Sequence, residues 1–240
     1  GSVNLARPYL GYGSITLRET TARSNYWGIL TSFRHNAGAA GLLAVNYTLS
    51  RNRTDATNDR DSIDLPQNPL DLAAEYADAR TDRRHILTAS YVYTLPFFKD
   101  ASNAAVKALL AGWQFAGLTT LNSGQPVPRI SVLTNGFLRG NRANRVGDPG
   151  AGDQSGLFWF NPNAYAPPAD GTYGNSGRQE FRQPGRNQTD LSLSKNWTLS
   201  GPQRVQFRAD LINAFNQTQW FADPSANGID NTCTVSLTTC

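Results

Sequence analysis

The sequence predicts an all-β protein: an antiparallel meander of about eight amphipathic strands, with short turns on one side and long loops on the other. Two observations predict this architecture. Apolar and polar residues alternate with the period of a half-buried strand in one segment after another. Short connections, and long ones rich in Gly, Pro and polar residues, separate these segments. One stretch, residues 103–111, favours a short helix that Asn103 caps and Gly112 ends.

Each strand is predicted from its own alternation. The clearest, at residues 85–96, has an apolar face made of Leu87, Ala89, Tyr91, Tyr93 and Leu95. The same pattern predicts the whole set of strands, near residues 14–20, 23–35, 41–51, 85–96, 113–123, 127–133, 188–197 and 204–215.

The connections alternate in length, with short turns near residues 36–41, 97–112 and 198–203 and long loops at residues 52–84 and 136–188. This asymmetry is typical of outer-membrane β-barrels, whose turns are short on the periplasmic side and whose loops are long outside. A water-soluble antiparallel sandwich or barrel would alternate in the same way, because one face of each strand meets a core. The alternation alone therefore leaves both folds open.

The two folds differ in what the apolar face meets. In a membrane barrel it turns outward to lipid, and it carries Trp27, Leu43, Tyr91, Leu95, Leu191 and Phe207. The opposite face carries Ser192, Ser194, Gln206, Arg208 and Asp210. In the membrane interpretation, residues 1–221 form a partial β-barrel and residues 222–240 form an irregular tail.

Charge and hydropathy limit the partners. The 22 basic and 18 acidic residues give a net charge of +4, and they form no Lys/Arg-rich run. A nucleic-acid partner is therefore not expected. No run of 18 apolar residues occurs, so the sequence predicts no transmembrane helix. A barrel strand needs only about ten alternating residues and remains open as a way to cross a membrane.

Aromatic residues in the second long loop form the first candidate site. Five of them fall within 16 positions: Phe158, Trp159, Phe160, Tyr165 and Tyr173. Aromatic rings offer a large apolar contact area at low entropic cost, which suits a sugar, a peptide or an aromatic ligand. The alternative is that these rings only hold the loop against the barrel rim.

Acidic residues in the first long loop form a candidate calcium site. Asp55, Asp59, Asp61 and Asp64 lie within ten positions, and Ca²⁺ takes six to eight oxygen ligands. The EF-hand order is absent and Arg60 lies inside the cluster, which favours a solvated polar loop. No other cofactor is expected.

The cysteines and histidines are few. Cys233 and Cys240 are candidates for a disulfide, and two free thiols are the alternative.

His35 and His85 are the only histidines, and no G-x-S-x-G motif occurs. We therefore expect the protein not to be an enzyme. The alternative is a hydrolase that uses His85 or His35 with Asp82 or a serine.

Six segments between residues 7 and 221 carry a resemblance to a known family. In chain order they read GYGSITLRETTARSNYWG, NYTLSRNRTDATN, DLAAEYADARTDRRHILTASYVYTLPF, LLAGWQFAGLTTLNSGQPV, FNPNAYAPPADGTYGNSGR with PGRNQTDLSLSKNW after it, and VQFRADLINAFNQTQW. They resemble the C-terminal barrel region of TonB-dependent receptors of the bacterial outer membrane. Within that group they are most similar to Oar-like receptors, which have a carboxypeptidase-regulatory-like N-terminal domain.

The resemblance implies an outer-membrane protein whose parent receptor binds or moves a substrate, with lipid and the TonB system as partners. The chain departs from the family in showing no plug domain, no TonB box and no aromatic residue at the end of a last strand. It supplies about eight strands where transporter barrels have about 22. We therefore expect a barrel fragment that does not perform energised uptake alone. Its open strand edges would pair with other copies or reclose into a small barrel. A self-assembling or ligand-binding β module is thus the alternative function.

Overall fold

The computed structural model describes residues 9, 12, 15, 19–56, 66–127, 130–131, 141–151, 160–199, 201–219 and 229–230, the two-residue segments 130–131 and 229–230 by their backbone alone. Eleven strands and one α-helix lie within these residues. The strands are β1 (Ser24–Asn36), β2 (Gly41–Thr54), β3 (Ala77–Asp78), β4 (His85–Thr94), β5 (Gln114–Asn122), β6 (Ile130–Ser131), β7 (Asn144–Arg145), β8 (Tyr165–Ala166), β9 (Arg186–Thr198), β10 (Arg204–Leu211) and β11 (Ile229–Asp230). The helix α1 spans Ala104–Leu110.

One antiparallel sheet dominates the molecule. Its strands follow the order β1-β2-β4-β5-β9-β10, and β3 pairs with the end of β2. Each strand is antiparallel to its neighbours, so the sheet is a meander interrupted by long excursions. This architecture confirms the all-β antiparallel fold that the alternation predicts.

The register places most of the apolar residues of the six strands on one face. Leu43 of β2 lies opposite Tyr91 of β4, which lies opposite Gly117 of β5, which lies opposite Leu191 of β9. The Tyr91 ring covers Gly117, where an added Cβ would come within 2.5 Å of the ring. Glycine at this position therefore makes room for the aromatic ring of the neighbouring strand.

We call this surface the apolar face and the opposite surface the polar face. The apolar face also carries Trp27, Ile29, Phe33, Val45, Phe115, Leu193 and Phe207. Ile29 is 59% exposed, Phe33 55% and Phe207 49%. Among the described residues, the segment around α1 covers this face at its short-turn end, and the rest of the face is bare. A bare apolar sheet of this size is unusual for a soluble protein and is what a lipid-facing surface requires.

The two ends of the sheet differ as the sequence predicts. At the short-turn end, a 3-10 turn at Gly38–Ala40 joins β1 to β2, and a tight turn with Gly201 at φ 71° joins β9 to β10. α1 lies between β4 and β5 at the same end, and the side chain of Asn103 accepts hydrogen bonds from the N–H groups of Ala105 and Val106. The long connections leave from the other end.

An aromatic cluster surrounds Lys195 at the short-turn end of the apolar face. The Lys195 ammonium lies 5.7 Å from the ring centre of Trp113 and 5.4 Å from that of Trp197. It also donates to the carbonyl of Ala111, and the residue is only 3% exposed. Phe207 packs edge-on against Trp113. Cation–π contacts and one hydrogen bond therefore accommodate a charge on an otherwise apolar face.

The segment predicted as a strand at residues 127–133 does not extend the main sheet. Pro126 forms an isolated bridge with Arg182, and the N–H of Val127 donates to the carbonyl of Phe181. β6 pairs with β11 in a separate two-stranded sheet instead of continuing β5. β5 ends at Asn122, and Pro126, which has no N–H to donate, makes only this isolated bridge four residues further on. Of the strand predicted at residues 14–20, only residues 15, 19 and 20 are described, and none of these three lies in a strand.

Helices contribute little to the described residues. α1 has seven residues, and no helix in the described part of the chain is long and apolar enough to cross a membrane.

Candidate functional site

The long connections fold into a packed layer at one end of the sheet. We call this the loop layer, and its described residues are 66–84, 123–127, 141–151 and 160–185. All five buried hydrophobic residues of the described chain lie in it: Ala79, Val127, Ala143, Ala164 and Tyr165. Most of the buried polar residues lie there too. The best-packed part of the chain is therefore the loop layer and not the sheet.

An aromatic cluster anchors the second long loop. Phe160 and Phe181 stack with ring centres 4.8 Å apart, and both pack against the buried cluster of Ala143, Ala164 and Tyr165. The Tyr165 hydroxyl donates to Glu180 Oε2 at 2.8 Å. Burial raises the pKa of Tyr165 well above its usual range, and the hydrogen bond to Glu180 adds to the effect.

The five aromatic residues of the predicted ligand site thus have different surroundings. Phe160 and Tyr165 are packed inside the loop layer, whereas Tyr173 is 39% exposed. Phe158 and Trp159 lie outside the described residues. A ligand-binding role for the whole set stays a prediction.

A cluster of arginines around Asp78 joins the loop layer to the sheet. Asp78 contacts the guanidinium groups of Arg51 at 2.9 Å, Arg84 at 3.2 Å and Arg182 at 2.8 Å. Arg182 also pairs with Asp82. Burial alone would raise the pKa of Asp78, but hydrogen bonds from Arg51 and Arg182 outweigh it and the pKa is lowered. The carboxylate therefore stays ionised and keeps its arginine partners below the pH at which an ordinary aspartate is protonated.

A buried ion pair joins the two long loops. Glu75 of the first loop and Arg142 of the second lie 3.2 Å apart and are 4% and 5% exposed. Arg178 donates to the backbone carbonyls of Glu75 at 3.2 Å and Ala56 at 2.5 Å. These contacts hold segments together that are far apart in the sequence.

A cavity of about 350 Å³ lies beside this ion pair, and we call it the polar cavity. Its lining combines amide, carboxylate, hydroxyl and backbone groups: Gln67, Asn68, Asp71, Ala74, Glu75, Arg142, Tyr173, Gly174, Asn175, Ser176 and Gly177. Three buried atoms of this lining have no hydrogen-bond partner among the described residues: Gln67 Oε1, Arg142 Nε and Ser176 Oγ. Buried polar groups are nearly always paired, so these three atoms, which have almost no accessible surface, are unusual. The mixed polar lining of the cavity marks it as a candidate binding site.

Close approach of backbones shapes this cavity. Gln67 Nε2 donates to the Gly174 carbonyl at 2.7 Å, and the Gly174 N–H donates to Asn141 Oδ1 at 3.0 Å. A Cβ on Gly174 would lie 1.8 Å from the carbonyl oxygen of Arg142. Only glycine fits at this contact. The Gly-rich run GTYGNSG is the one sequence signal that would have pointed to it, since interior glycines often mark close backbone approach.

A second cavity, of about 450 Å³, opens on the polar face of the sheet. Leu42, Val92, Ala116 and Leu118 form its apolar part, and Ser90, Asp190, Ser192, Arg208 and Asp210 form its polar part. Arg208 and Asp210 form an ion pair at 2.9 Å.

The predicted calcium site is only partly described. Asp55 accepts a hydrogen bond from the N–H of Arg23 at 2.5 Å and pairs with its guanidinium at 3.5 Å. Asp59, Asp61 and Asp64 lie outside the described residues, as do Cys233 and Cys240. Among the described residues no group of three or more His, Cys, Asp or Glu side chains is placed to hold a metal ion. Calcium binding and the disulfide stay predictions.

The two histidines lie at opposite ends of the sheet. His85, at the long-loop end, contacts the Tyr47 hydroxyl through Nδ1 at 2.8 Å. His35 lies near the short-turn end, opposite Leu43. Asp82 pairs with Arg182 and accepts from the N–H of Asn52. His85 and Asp82 are thus engaged in other contacts, and His35 lies at the opposite end of the sheet from both.

The antiparallel sheet, its exposed apolar face and its uneven ends agree with one comparison with known proteins. The family model of the outer membrane beta barrel domain matches residues 1–239. The chain belongs to this family. It is accordingly a protein of the bacterial outer membrane, and barrel domains of this kind are generally not enzymes. No curated protein and no solved structure matches the chain. In this family the apolar face meets lipid and the polar face lines the barrel interior.

Proposed function

We propose that the chain is a wall segment of a TonB-dependent receptor, which binds a substrate at the loop layer and passes it through the barrel interior. The observation that carries the proposal is the loop layer itself. Two long loops pack around a buried ion pair and enclose a polar cavity at the end that faces outward in a barrel. A passive pore does not need loops ordered in this way, whereas a receptor needs a preformed site.

The polar face supplies a path from that site. Asp190, Ser192, Arg208 and Asp210 offer paired charges and hydroxyl groups beneath the loop layer, next to apolar residues. A mixed surface of this kind lets a polar substrate exchange one set of weak contacts for the next. Six segments resemble TonB-dependent receptors, and this resemblance implies that the TonB system supplies the energy for transport. On this proposal the chain binds and moves its substrate without chemical conversion.

Uptake measurements in the bacterium that encodes the chain test the proposal. Compounds removed from the medium by the wild type are compared with those removed by a strain lacking the gene. We expect a small set of compounds to be taken up only when the gene is present. Depletion of TonB, or dissipation of the proton gradient, should abolish uptake of the same compounds.

A passive pore gives the opposite result. If the chain formed a passive pore, uptake of the compounds would depend on the gene but would continue in cells without TonB. That outcome would overturn the proposed function and leave the family assignment intact. A secreted hydrolase would instead show product in the medium, and that product would disappear in a His85→Ala strain.

The free edges of the sheet favour a second property, pairing with further strands. In the described part of the chain, β1 pairs only with β2 and β10 pairs only with β9. The outer edge of β1 runs for 13 residues. Unpaired N–H and C=O groups beside apolar side chains are unfavourable in a membrane, so each edge needs a partner strand. We propose that the isolated chain pairs these edges with copies of itself.

Size-exclusion chromatography with light scattering measures the outcome. We expect species of two or more chains, with masses that are multiples of 26.2 kDa. A reducing agent should leave them intact, which separates strand pairing from a disulfide through Cys233 or Cys240. A monodisperse species of 26.2 kDa in detergent-free buffer would contradict self-association.

A further inference from the structure

We infer that a group of arginines at the long-loop end of the apolar face binds the phosphate groups of glycolipids in the outer leaflet of the outer membrane. The group consists of Arg51, Arg53 and Arg84, which surround Asp78, and we call them the rim arginines. The inference rests on the family and not on the proposed transport function, because it concerns the outer wall of the barrel. Position, accessible nitrogen atoms and charge carry it.

The rim arginines begin where the apolar residues of β2 end. Every second residue of a strand faces the same way, so Arg51 and Arg53 share the apolar face with Leu43, Val45, Tyr47 and Leu49. β2 begins at Gly41, at the short-turn end, and Arg51 lies ten positions further along. Ten residues of a strand tilted as in a barrel rise about 25 Å, which is the height of the lipid-facing band. Arg51 and Arg53 therefore lie at the level of the headgroups of the outer leaflet.

The neighbours of these arginines agree with that level. Trp27 of β1 lies opposite Arg51 and is 45% exposed, and tryptophan is enriched at membrane–water interfaces. Asp78 of β3 lies opposite Arg53, so its carboxylate is on the same face as the arginines. It accepts hydrogen bonds from Arg51 Nε at 2.9 Å and from Arg84 Nη2 at 3.2 Å. One carboxylate thus holds the rim arginines together on the outer wall.

Each rim arginine keeps a terminal nitrogen accessible to a ligand. Arg51 contacts Asp78 through Nε, which leaves Nη1 and Nη2. Arg53 uses Nη2 for the Tyr76 carbonyl at 3.3 Å. Arg84 uses Nη2 for Asp78, so Nη1 remains on both. These four nitrogens make no hydrogen bond with any residue that the structure describes, and none of them is a buried atom. The side chains are 38%, 38% and 28% exposed, so a phosphate oxygen can reach these nitrogens directly.

The arginine cluster has more positive than negative charge. Arg182 contacts Asp78 and Asp82, so four guanidinium groups surround two carboxylates. An excess of two positive charges remains. Guanidinium groups bind phosphate through paired, charge-assisted hydrogen bonds. An anion that bridges two rim arginines would offset the excess charge, whereas a neutral headgroup would not.

The apolar residues beside the rim arginines favour a lipid over a soluble anion. On the membrane side of Arg51 the apolar face continues with Leu49 and Tyr47, which acyl chains would cover. A molecule with phosphate at the level of the arginines and acyl chains along the apolar face meets both surfaces. Phosphorylated glycolipids of the outer leaflet have this form, and basic clusters beside membrane-spanning segments commonly bind anionic headgroups. A soluble phosphate would gain only the contacts with the arginines.

Native mass spectrometry measures binding to the protein that contains the whole barrel, purified in a non-ionic detergent until endogenous lipid is lost. The probes are bisphosphorylated lipid A and lipid A from which both phosphates have been removed. Inositol hexakisphosphate serves as a soluble polyphosphate without acyl chains. We expect bisphosphorylated lipid A to bind about tenfold or more tightly than the dephosphorylated form, and the soluble polyphosphate not to displace it. This comparison uses the wild-type protein and is independent of how any variant folds.

Substitutions locate the bound phosphate. Arg51→Gln removes two accessible nitrogens and should weaken binding of bisphosphorylated lipid A about tenfold, and adding Arg53→Gln should weaken it about a hundredfold. Arg34→Gln is the matched control, because it removes an exposed arginine from the opposite face at the short-turn end and should bind as the wild type does. The faster electrophoretic migration of unheated barrels shows which variants are folded.

The inference is overturned if dephosphorylated lipid A binds as tightly as the bisphosphorylated form. It is also overturned if the folded Arg51→Gln/Arg53→Gln variant binds as the wild type does, or if Arg34→Gln loses as much affinity. Displacement of the lipid by an equal concentration of inositol hexakisphosphate would mean that the arginines bind soluble anions instead. None of these outcomes depends on TonB, so a failed lipid test leaves the proposed transport function untouched.

Discussion

We expect Leu191→Arg to prevent the barrel from assembling in the outer membrane, whereas Ser192→Arg should be tolerated. Leu191 lies near the middle of β9 on the apolar face, between Gly117 and Leu211. An arginine that faces lipid at the midplane costs about 2–4 kcal/mol. Ser192 lies on the polar face opposite Asp210, where a new guanidinium would find a carboxylate. The two substitutions introduce the same side chain at neighbouring positions and differ only in the face.

The fraction of protein that stays in outer membranes after carbonate extraction gives the measurement, made in the protein that contains the whole barrel. Leu193→Arg and Ser194→Arg repeat the test one pair further along β9, because Leu193 faces Phe115 and Ser194 faces Gln114. Equal losses for both members of a pair would contradict the assignment of faces. A loss only at Ser192 and Ser194 would mean that the apolar face is turned inward, as in a soluble barrel.

The main sheet was predictable because the alternation of each strand depends only on the residues of that strand. A strand between lipid and a polar interior must alternate at every second residue, so residues 85–96 show their faces without any knowledge of their partners. β4 spans His85–Thr94 and has those faces. The single helix was predictable for the same reason, since the Asn103 cap and the Gly112 stop lie next to it in the sequence.

Pairing across long loops was harder to predict. Residues 127–133 alternate well enough to predict a strand, yet β5 pairs directly with β9. Alternation describes the faces of a segment and carries no information on which neighbour it pairs with. The one local warning was Pro126, which removes a donor from the ladder.

The polar cavity was not predictable from the sequence. Glu75 and Arg142 are separated by 67 positions, and no period or motif relates them. Tyr165 and Tyr173 belong to the same loop and are the same residue type, yet Tyr165 is buried against Phe160, whereas Tyr173 is 39% exposed and lines the polar cavity. Which aromatic residue anchors a loop and which stays accessible depends on tertiary packing, which single-sequence patterns do not contain.

Arg142→Ala should weaken the loop layer by about 3–5 kcal/mol, because it leaves the Glu75 carboxylate buried without its partner. Arg23→Ala is the matched control. It removes the same charge from a pair whose arginine side chain is 78% exposed. The Asp55 side chain is 8% exposed but keeps its hydrogen bond from the N–H of residue 23, so a smaller loss is expected, outside residues 66–84 and 141–151. Native-state hydrogen exchange gives the free energy of local opening. The amides of residues 66–84 and 141–151 should lose protection in Arg142→Ala and keep it in Arg23→Ala.

A second substitution separates the buried charge from the lost contact. Adding Glu75→Gln to Arg142→Ala removes the stranded carboxylate charge and should restore part of the protection, because an uncharged amide costs less to bury than an unpaired carboxylate. If the double variant opens as easily as Arg142→Ala alone, the packing of side chains, and not the ion pair, holds the loops together. If Arg23→Ala and Arg142→Ala have equal effects, burial does not govern these pairs. In either case the loop layer would owe its order to the aromatic cluster of Phe160, Tyr165 and Phe181.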